Sequence, residues 1–170
     1  MLSFDKLTIK SQEALQKSQQ FASDHGHQQI EPVHLLAGVL ESPESIARTI
    51  FKKSGVDPDM VKSEVMKLID RLPKISGGVG QVYLANATND LFDRALKEAG
   101  HLRDEFVSVE HLLMALVNIG GPCSDLLNRY GASSDKVLSS MREIRGAQSV
   151  TDQNPEEKFQ ALKKFRRDLT

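Results

Sequence analysis

The chain states one pattern twice, and that repetition constrains its fold more than any other feature. Ile30-Glu31-Pro32-Val33-His34-Leu35-Leu36 is answered by Val107-Ser108-Val109-Glu110-His111-Leu112-Leu113, 77 residues later. The same offset carries Leu7 onto Leu84, Ser11 onto Thr88, Leu15 onto Phe92 and Ala22 onto Ala99. One residue is then lost in a loop. From there Ile50 falls on Leu126, Phe51 on Leu127, Gly55 on Gly131, Asp59 on Asp135 and Val61 on Val137. A unit of this length is too long for one hairpin of a helical solenoid. The expected fold is all-α: a small helical bundle made twice and packed on itself with pseudo-two-fold symmetry.

Each copy reads as four helices. The first is expected from about Thr8 to His25, with Ala14, Leu15, Ser18, Phe21 and Ala22 at helical spacing and Gly26 as its breaker. Pro32 suits the first position of the second helix, where a missing N–H costs nothing. Ser42-Pro43-Glu44 predicts the start of the third by cap, fixed φ and dipole. Gly55 suits its left-handed end, and Asp57-Pro58-Asp59 opens the fourth. In the second copy the helices are expected near 86–101, 109–118, 122–130 and 134–145, with Ser133 in the capping place of Asp57. The predicted organisation is repeat one over 7–72, a Gly-rich linker over 73–83 and repeat two over 84–145. Residues 146–170 read as a linker without apolar anchors, followed by a short amphipathic helix bearing Phe159, Leu162 and Phe165.

Composition narrows the function classes. Trp is absent and aromatics are few, so Leu, Ile, Val, Ala and Met must fill the core. The net charge of −1, mixed in sign along the chain, argues against a nucleic-acid or membrane surface. No apolar run reaches the roughly 18 residues of a membrane span, and the first residues lack the apolar stretch of a secretory signal. A lone cysteine, Cys123, forms no internal disulfide, and a cytoplasmic location is the default expectation.

The motifs mostly read as scaffold. Each His of the paired His-Leu-Leu units sits in the first turn of a helix whose leucines enter the core. A metal reading is weak, because neither copy carries two histidines at i, i+4 with a carboxylate. His25-Gly26-His27 reads as a solvated turn. Gly77-Gly78-Val79-Gly80 lacks the Lys-Ser or Lys-Thr of a phosphate loop. Cys123 is read as a small buried apolar residue, although a helix start can activate a thiol. Lys163-Lys164-Phe165-Arg166-Arg167 reads as a solvated helix face. Phe92 stands in the place of Leu15, which favours the core. Leu91 and Leu96 are then expected toward a groove.

The doubled His-Leu-Leu units resemble the double Clp N-terminal repeat of the Clp AAA+ chaperone family. Phe4-Asp5-Lys6-Leu7-Thr8, Arg71-Leu72-Pro73 and Asp104-Glu105-Phe106-Val107-Ser108-Val109-Glu110 are similar to the N-terminal domain of its disaggregase branch. Gln160-Ala161-Leu162-Lys163-Lys164-Phe165 and Arg167-Asp168-Leu169-Thr170 resemble the entry to a first AAA+ module, with Phe165-Arg166 where the family usually has Tyr-Gly.

That resemblance implies a parent that is an ATP-driven homohexameric ring, binding ATP and Mg and threading aggregated polypeptide together with the DnaK chaperone system. This chain itself is then expected to need no cofactor, catalyse nothing and be a monomer. Its implied task is to bind exposed hydrophobic segments of unfolded or aggregated protein and present them to the ring. Thr8, Asp104 and Glu110 match the family's functional polar positions, with the two carboxylates rimming the groove or facing the ring. Leu91, Phe92, Leu96 and His111 are the residues expected to line the groove, although the family often has an apolar residue where His111 stands. The alternatives are an adaptor-docking domain of a protease-linked Clp ATPase and, from another class, a metal-dependent enzyme.

Overall fold

In the structure, a computed structural model, residues 3–78, 80–146, 150–151 and 153–156 are described. After a single turn of 3-10 helix at Phe4–Lys6 come α1 (Ile9–Asp24), α2 (Pro32–Glu41), α3 (Ile46–Lys53) and α4 (Pro58–Arg71). The second copy supplies α5 (Asn86–His101), α6 (Val109–Asn118), α7 (Gly121–Arg129) and α8 (Ser134–Arg145). The caps explain these starts. Thr8 and Ser133 accept hydrogen bonds from the N–H groups of Ser11 and Lys136, and Asp57 accepts one from Asp59. The third helix begins later than the sequence suggests. Ser45, not Ser42, accepts from the Ala47 N–H while donating to the Val39 carbonyl, so Ser42-Pro43-Glu44 is a turn.

α2 and α6 are buried along nearly their whole length, from Val33 to Leu40 and from Val109 to Val117. A helix apolar on every side must lie in the interior. These two pack on each other at the centre, and the remaining helices cover them. Contacts between α3 and α8 and between α4 and α7 join the copies into one core. Ser54 and Ser140 are hydrogen-bonded across that seam at 2.9 Å.

Two short parallel pairings complete the exchange. Gln29–Ile30 (β1) pairs with Tyr83–Leu84 (β2), and Leu7 bridges to Val107. The segment leading into each repeat's first helix is therefore bonded to the segment before the second helix of the other repeat.

Several expectations need correction. Leu91 and Phe92 do not line a groove: both are buried, because α5 is covered on two sides. The chain after Gly146 is not free of anchors. Val150 is fully buried; its N–H donates to Asp104 Oδ1 at 2.8 Å, and its carbonyl accepts from Glu105 N–H. Further on, the Gln153 carbonyl accepts from Ile9 N–H at 2.8 Å. The helix expected around Phe159, Leu162 and Phe165 lies outside the described residues.

Candidate functional site

Four of the polar and ionisable residues singled out from sequence, Thr8, Asp104, Glu110 and His111, meet in one buried network at the start of α6. His111 Nδ1 accepts from the Ser108 N–H at 2.9 Å, so its proton sits on Nε2 and is donated to Asp104 Oδ2 at 2.7 Å. Arg145, from the end of α8, grips the same carboxylate with two N–H groups at 2.9 and 2.6 Å. Burial alone would raise the Asp104 carboxyl, but the bonds from His111, Arg145 and the Val150 N–H outweigh it and hold it down at about 2. Asp104, Glu110 and His111 therefore do not rim a groove or face outward; their side chains are fully buried.

Glu110 enters this network as a second carboxylate. Neither of its oxygens has a hydrogen-bond partner among the described residues, and Arg145 Nη1 stands 3.7 Å from Oε1. A third carboxylate arrives from the chain beyond α8. Glu156 Oε1 accepts from the Thr8 hydroxyl at 2.7 Å and from the Val109 N–H at 3.2 Å. Burial, reinforced by the charge of Glu110, pushes the Glu156 carboxyl up to about 7. Two carboxyls buried close together disfavour each other's charged form.

Glu156 and Val109 also close one end of a groove of about 400 Å³. Its wall is one face of α1, where Lys10, Glu13, Ala14 and Lys17 recur at helical spacing; Gly38 and Val39 from α2 and Ile46 and Thr49 from α3 line it too. Ala14, Val39, Ile46 and Val109, each no more than 4% exposed, lie at its floor, and Lys10, Glu13, Lys17 and Glu44 bring its charges. The groove exists on the repeat-one side because the residues there are small. The equivalent positions of Ala14 and Gly38 are Leu91 and Ala115, both fully buried. A Cβ at Gly38 would collide with the Ala14 carbonyl and the Ser18 hydroxyl, so α1 and α2 approach closely beneath the groove floor.

Of the apolar residues expected at the site, Leu96 alone is exposed, at 40%. It lies on α5 and is not among the groove-lining residues. Arg145 and Glu156 were missed. Arg145 could have been found by comparing the copies, since its counterpart is Ile69. Glu156 has no counterpart within a helix of repeat one, and its polar surroundings read as linker. Cys123 is buried, and burial pushes its thiol up to about 12, which makes it inert. Among the described residues no cluster of three or more His, Cys, Asp or Glu side chains could hold a metal ion, and no helix is long and apolar enough to cross a membrane.

Comparison with known proteins agrees with this architecture. Residues 6–130 match the Clp repeat (R) N-terminal domain model. Chaperone protein ClpB of Bacillus anthracis is 39% identical over 171 residues, an alignment that covers 99% of this chain and 20% of that protein. The chain thus spans about a fifth of the length of the curated relatives it matches. Among solved structures, the Hsp104 N-terminal domain from Candida albicans superposes with a TM-score of 0.77 at 19% identity, covering 86% of this chain and 96% of that one. A ClpV N-domain in complex with a VipB peptide superposes with a TM-score of 0.62 at 17% identity, covering 81% and 89%. With more than two thirds of its length matched by the family model and its doubled four-helix architecture shared with these structures, the chain belongs to the Clp repeat N-terminal domain family.

Proposed function

We propose that this domain captures exposed apolar segments of unfolded or aggregated polypeptide in the groove along α1 and presents them to the AAA+ ring of a longer parent. That parent would be a homohexameric disaggregase working with the DnaK chaperone system. The observation that carries the reading is the groove itself: an apolar floor from Ala14, Val39, Ile46 and Val109 with mixed charges around it. Such a surface gains roughly 25 cal/mol for each Å² of apolar area it covers and makes few demands on sequence. Weak capture of this kind suits a substrate that must be passed on. The ClpV N-domain seen with a VipB peptide supports the idea that a fold of this kind seats a peptide.

Leu96 is a second proposed contact, outside the groove. Thr8, Asp104, Glu110 and His111 serve as positioning residues, setting the start of α6 and hence the Val109 end of the groove. Titration of the isotope-labelled chain with reduced, unfolded casein, without any adaptor, tests the reading. Shifts are expected at Ala14, Val39, Ile46 and Thr49. An unchanged spectrum at millimolar casein sinks it, and shifts that need a folded adaptor favour the docking alternative.

A further inference from the structure

His25-Gly26-His27, expected from sequence as a solvated turn, is closed on one side. His27 is buried, and so is His34, which it meets. The Glu31 N–H donates to His34 Nδ1 at 2.8 Å, so the neutral His34 ring carries its proton on Nε2. That proton is donated to His27 Nδ1 at 2.9 Å. The His27 proton therefore sits on Nε2, which is buried and has no hydrogen-bond partner among the described residues.

This pair has no place for another proton. On His27 Nδ1 it would face the His34 Nε2–H, and on His34 Nδ1 it would face the Glu31 N–H. Burial disfavours the charged form of both rings before any neighbouring charge acts. His25, whose ring stacks on His27 with centroids 6.1 Å apart, and Lys74 also oppose a positive charge on His27. Asp70 on α4 favours one, but it is mostly exposed and screened by water. At the start of α2, the Glu31 side chain is engaged by the His34 backbone N–H. The same turn holds the chain that leaves α4: the Ile75 N–H donates to the Gly26 carbonyl at 2.9 Å. The Leu72 backbone lies close enough to His27 to favour its charged form, without forming a hydrogen bond to Nε2. Repeat two places Asp104 opposite His111, an acceptor that a charged imidazole strengthens rather than repels.

We propose that His27 and His34 form a proton-sensitive catch: a proton taken up by His27 parts the two rings, opens the turn at Gly26 and releases residues 72–75 from repeat one while the helices stay packed. The charged ring turns toward water and Asp70. Residues 72–75 begin the connection between the two repeats, so the catch sets how firmly that connection is held. It is closed at neutral pH and opens as pH falls, because the open turn binds a proton that the closed pair has no room for.

Hydrogen exchange of the full 170-residue chain tests the catch, read as protection factors so that the intrinsic pH dependence of exchange divides out. With His27 titrating near its ordinary 6.5 in the open turn and taking no proton in the closed one, the Ile75 protection factor should fall about twentyfold from pH 7 to pH 5. Because the opening is local, dilute urea should leave the Ile75 value at pH 5 unchanged while lowering that of the core amide of Leu113. His27→Asn keeps an acceptor at the place of Nδ1 and cannot titrate, so it should hold Ile75 protection within about twofold across the range. Should that variant fail to fold, His27→Gln supplies the same acceptor on a longer arm. His25→Gln should retain the fall. Ile75 protection that is the same at pH 7 and pH 5 overturns the proposal. So does a urea dependence equal to that of Leu113, which would mean that the whole domain unfolds, and so does a full fall that persists without the His27 imidazole.

Discussion

His34 and His111 occupy the same place in two copies of one helix start, yet they face opposite electrostatic surroundings. Each turns Nδ1 to the N–H three residues earlier, on Glu31 and on Ser108. Each then points Nε2 at the residue seven positions back. In repeat one that residue is His27, at 2.9 Å, and burial pushes both imidazoles toward their neutral forms. In repeat two it is Asp104, at 2.7 Å, and the pair is completed by Arg145 where repeat one has the buried Ile69. The neutral version closes on itself. The charged version leaves Asp104 oxygens to accept a further N–H from Val150, and so ties down the chain that leaves the domain. One scaffold slot thus serves as packing in one half and as an anchor in the other.

The largest expected effect tests that contrast directly. Asp104→Ala leaves Arg145 buried without its main partner, which costs about 3–5 kcal/mol, or roughly a 10 °C fall in melting temperature for a domain of this size. His27→Ala should cost clearly less in thermal unfolding. Equal losses would mean that the two networks are energetically alike. Next comes the groove asymmetry. Leu91→Ala should cost about 2–4 kcal/mol by opening a cavity in the core, whereas Ala14→Leu should cost about 1–3 kcal/mol by overpacking a buried site and weaken groove binding in a casein titration.

The third effect is a dependence on pH with a sign for each region. Burial, followed by the neighbouring His27 and His25, lowers His34 from 6.5 to about 4. The unfolded chain therefore binds more protons between those values, and stability present above about pH 6.5 falls as pH drops toward 4, by on the order of 3 kcal/mol. Denaturant midpoints measured across that range check this, and His34→Gln should flatten the curve. Glu156 works in the opposite direction. Its raised carboxyl favours the docked form at lower pH, so the protection factors of the Val150 and Ile9 N–H groups, which divide out the intrinsic slowing of exchange, should rise as pH falls from 7 toward 4.5.

The smallest effect concerns a turn that both repeats share. Gly26 has φ +75°, and its counterpart Arg103 has φ +58° with a full side chain. Arg103→Gly should stabilise repeat two by less than about 1 kcal/mol, since the relief of left-handed strain is partly offset by glycine's greater freedom in the unfolded chain. A loss of stability would mean that the Arg103 side chain contributes more than its backbone costs.

Much of this was legible because helix starts are local events. Thr8, Asp57 and Ser133 each accept from an N–H within three residues, and Pro32 fixes its own φ, so composition at one point suffices. The Ser42 start failed because Ser45 has a second partner, the Val39 carbonyl, which sequence spacing does not display. The site was harder. Leu91 is core because α5 is covered on two sides, and a single apolar stripe cannot reveal that. Asp104 and Glu110 are enclosed by a segment whose composition is that of a linker; one valine and a few backbone bonds hold it. The asymmetry between copies was the usable signal. It marks Glu110 against Val33, Thr8 against Ala85 and Asp104 against His27, and the same comparison extended to Ile69 leads to Arg145.

The crossed pairings of Leu7 with Val107 and of Ile30 with Leu84 bear on how the domain comes apart. Neither repeat keeps its own leading strand, so neither can melt while the other stays whole. Fraying of either copy removes an edge from its sibling, and the two halves rise and fall as a single cooperative unit. A nick in the Gly-rich connection near Gly77 and Gly78 would then yield two fragments that are each incomplete alone and fold only by finding one another.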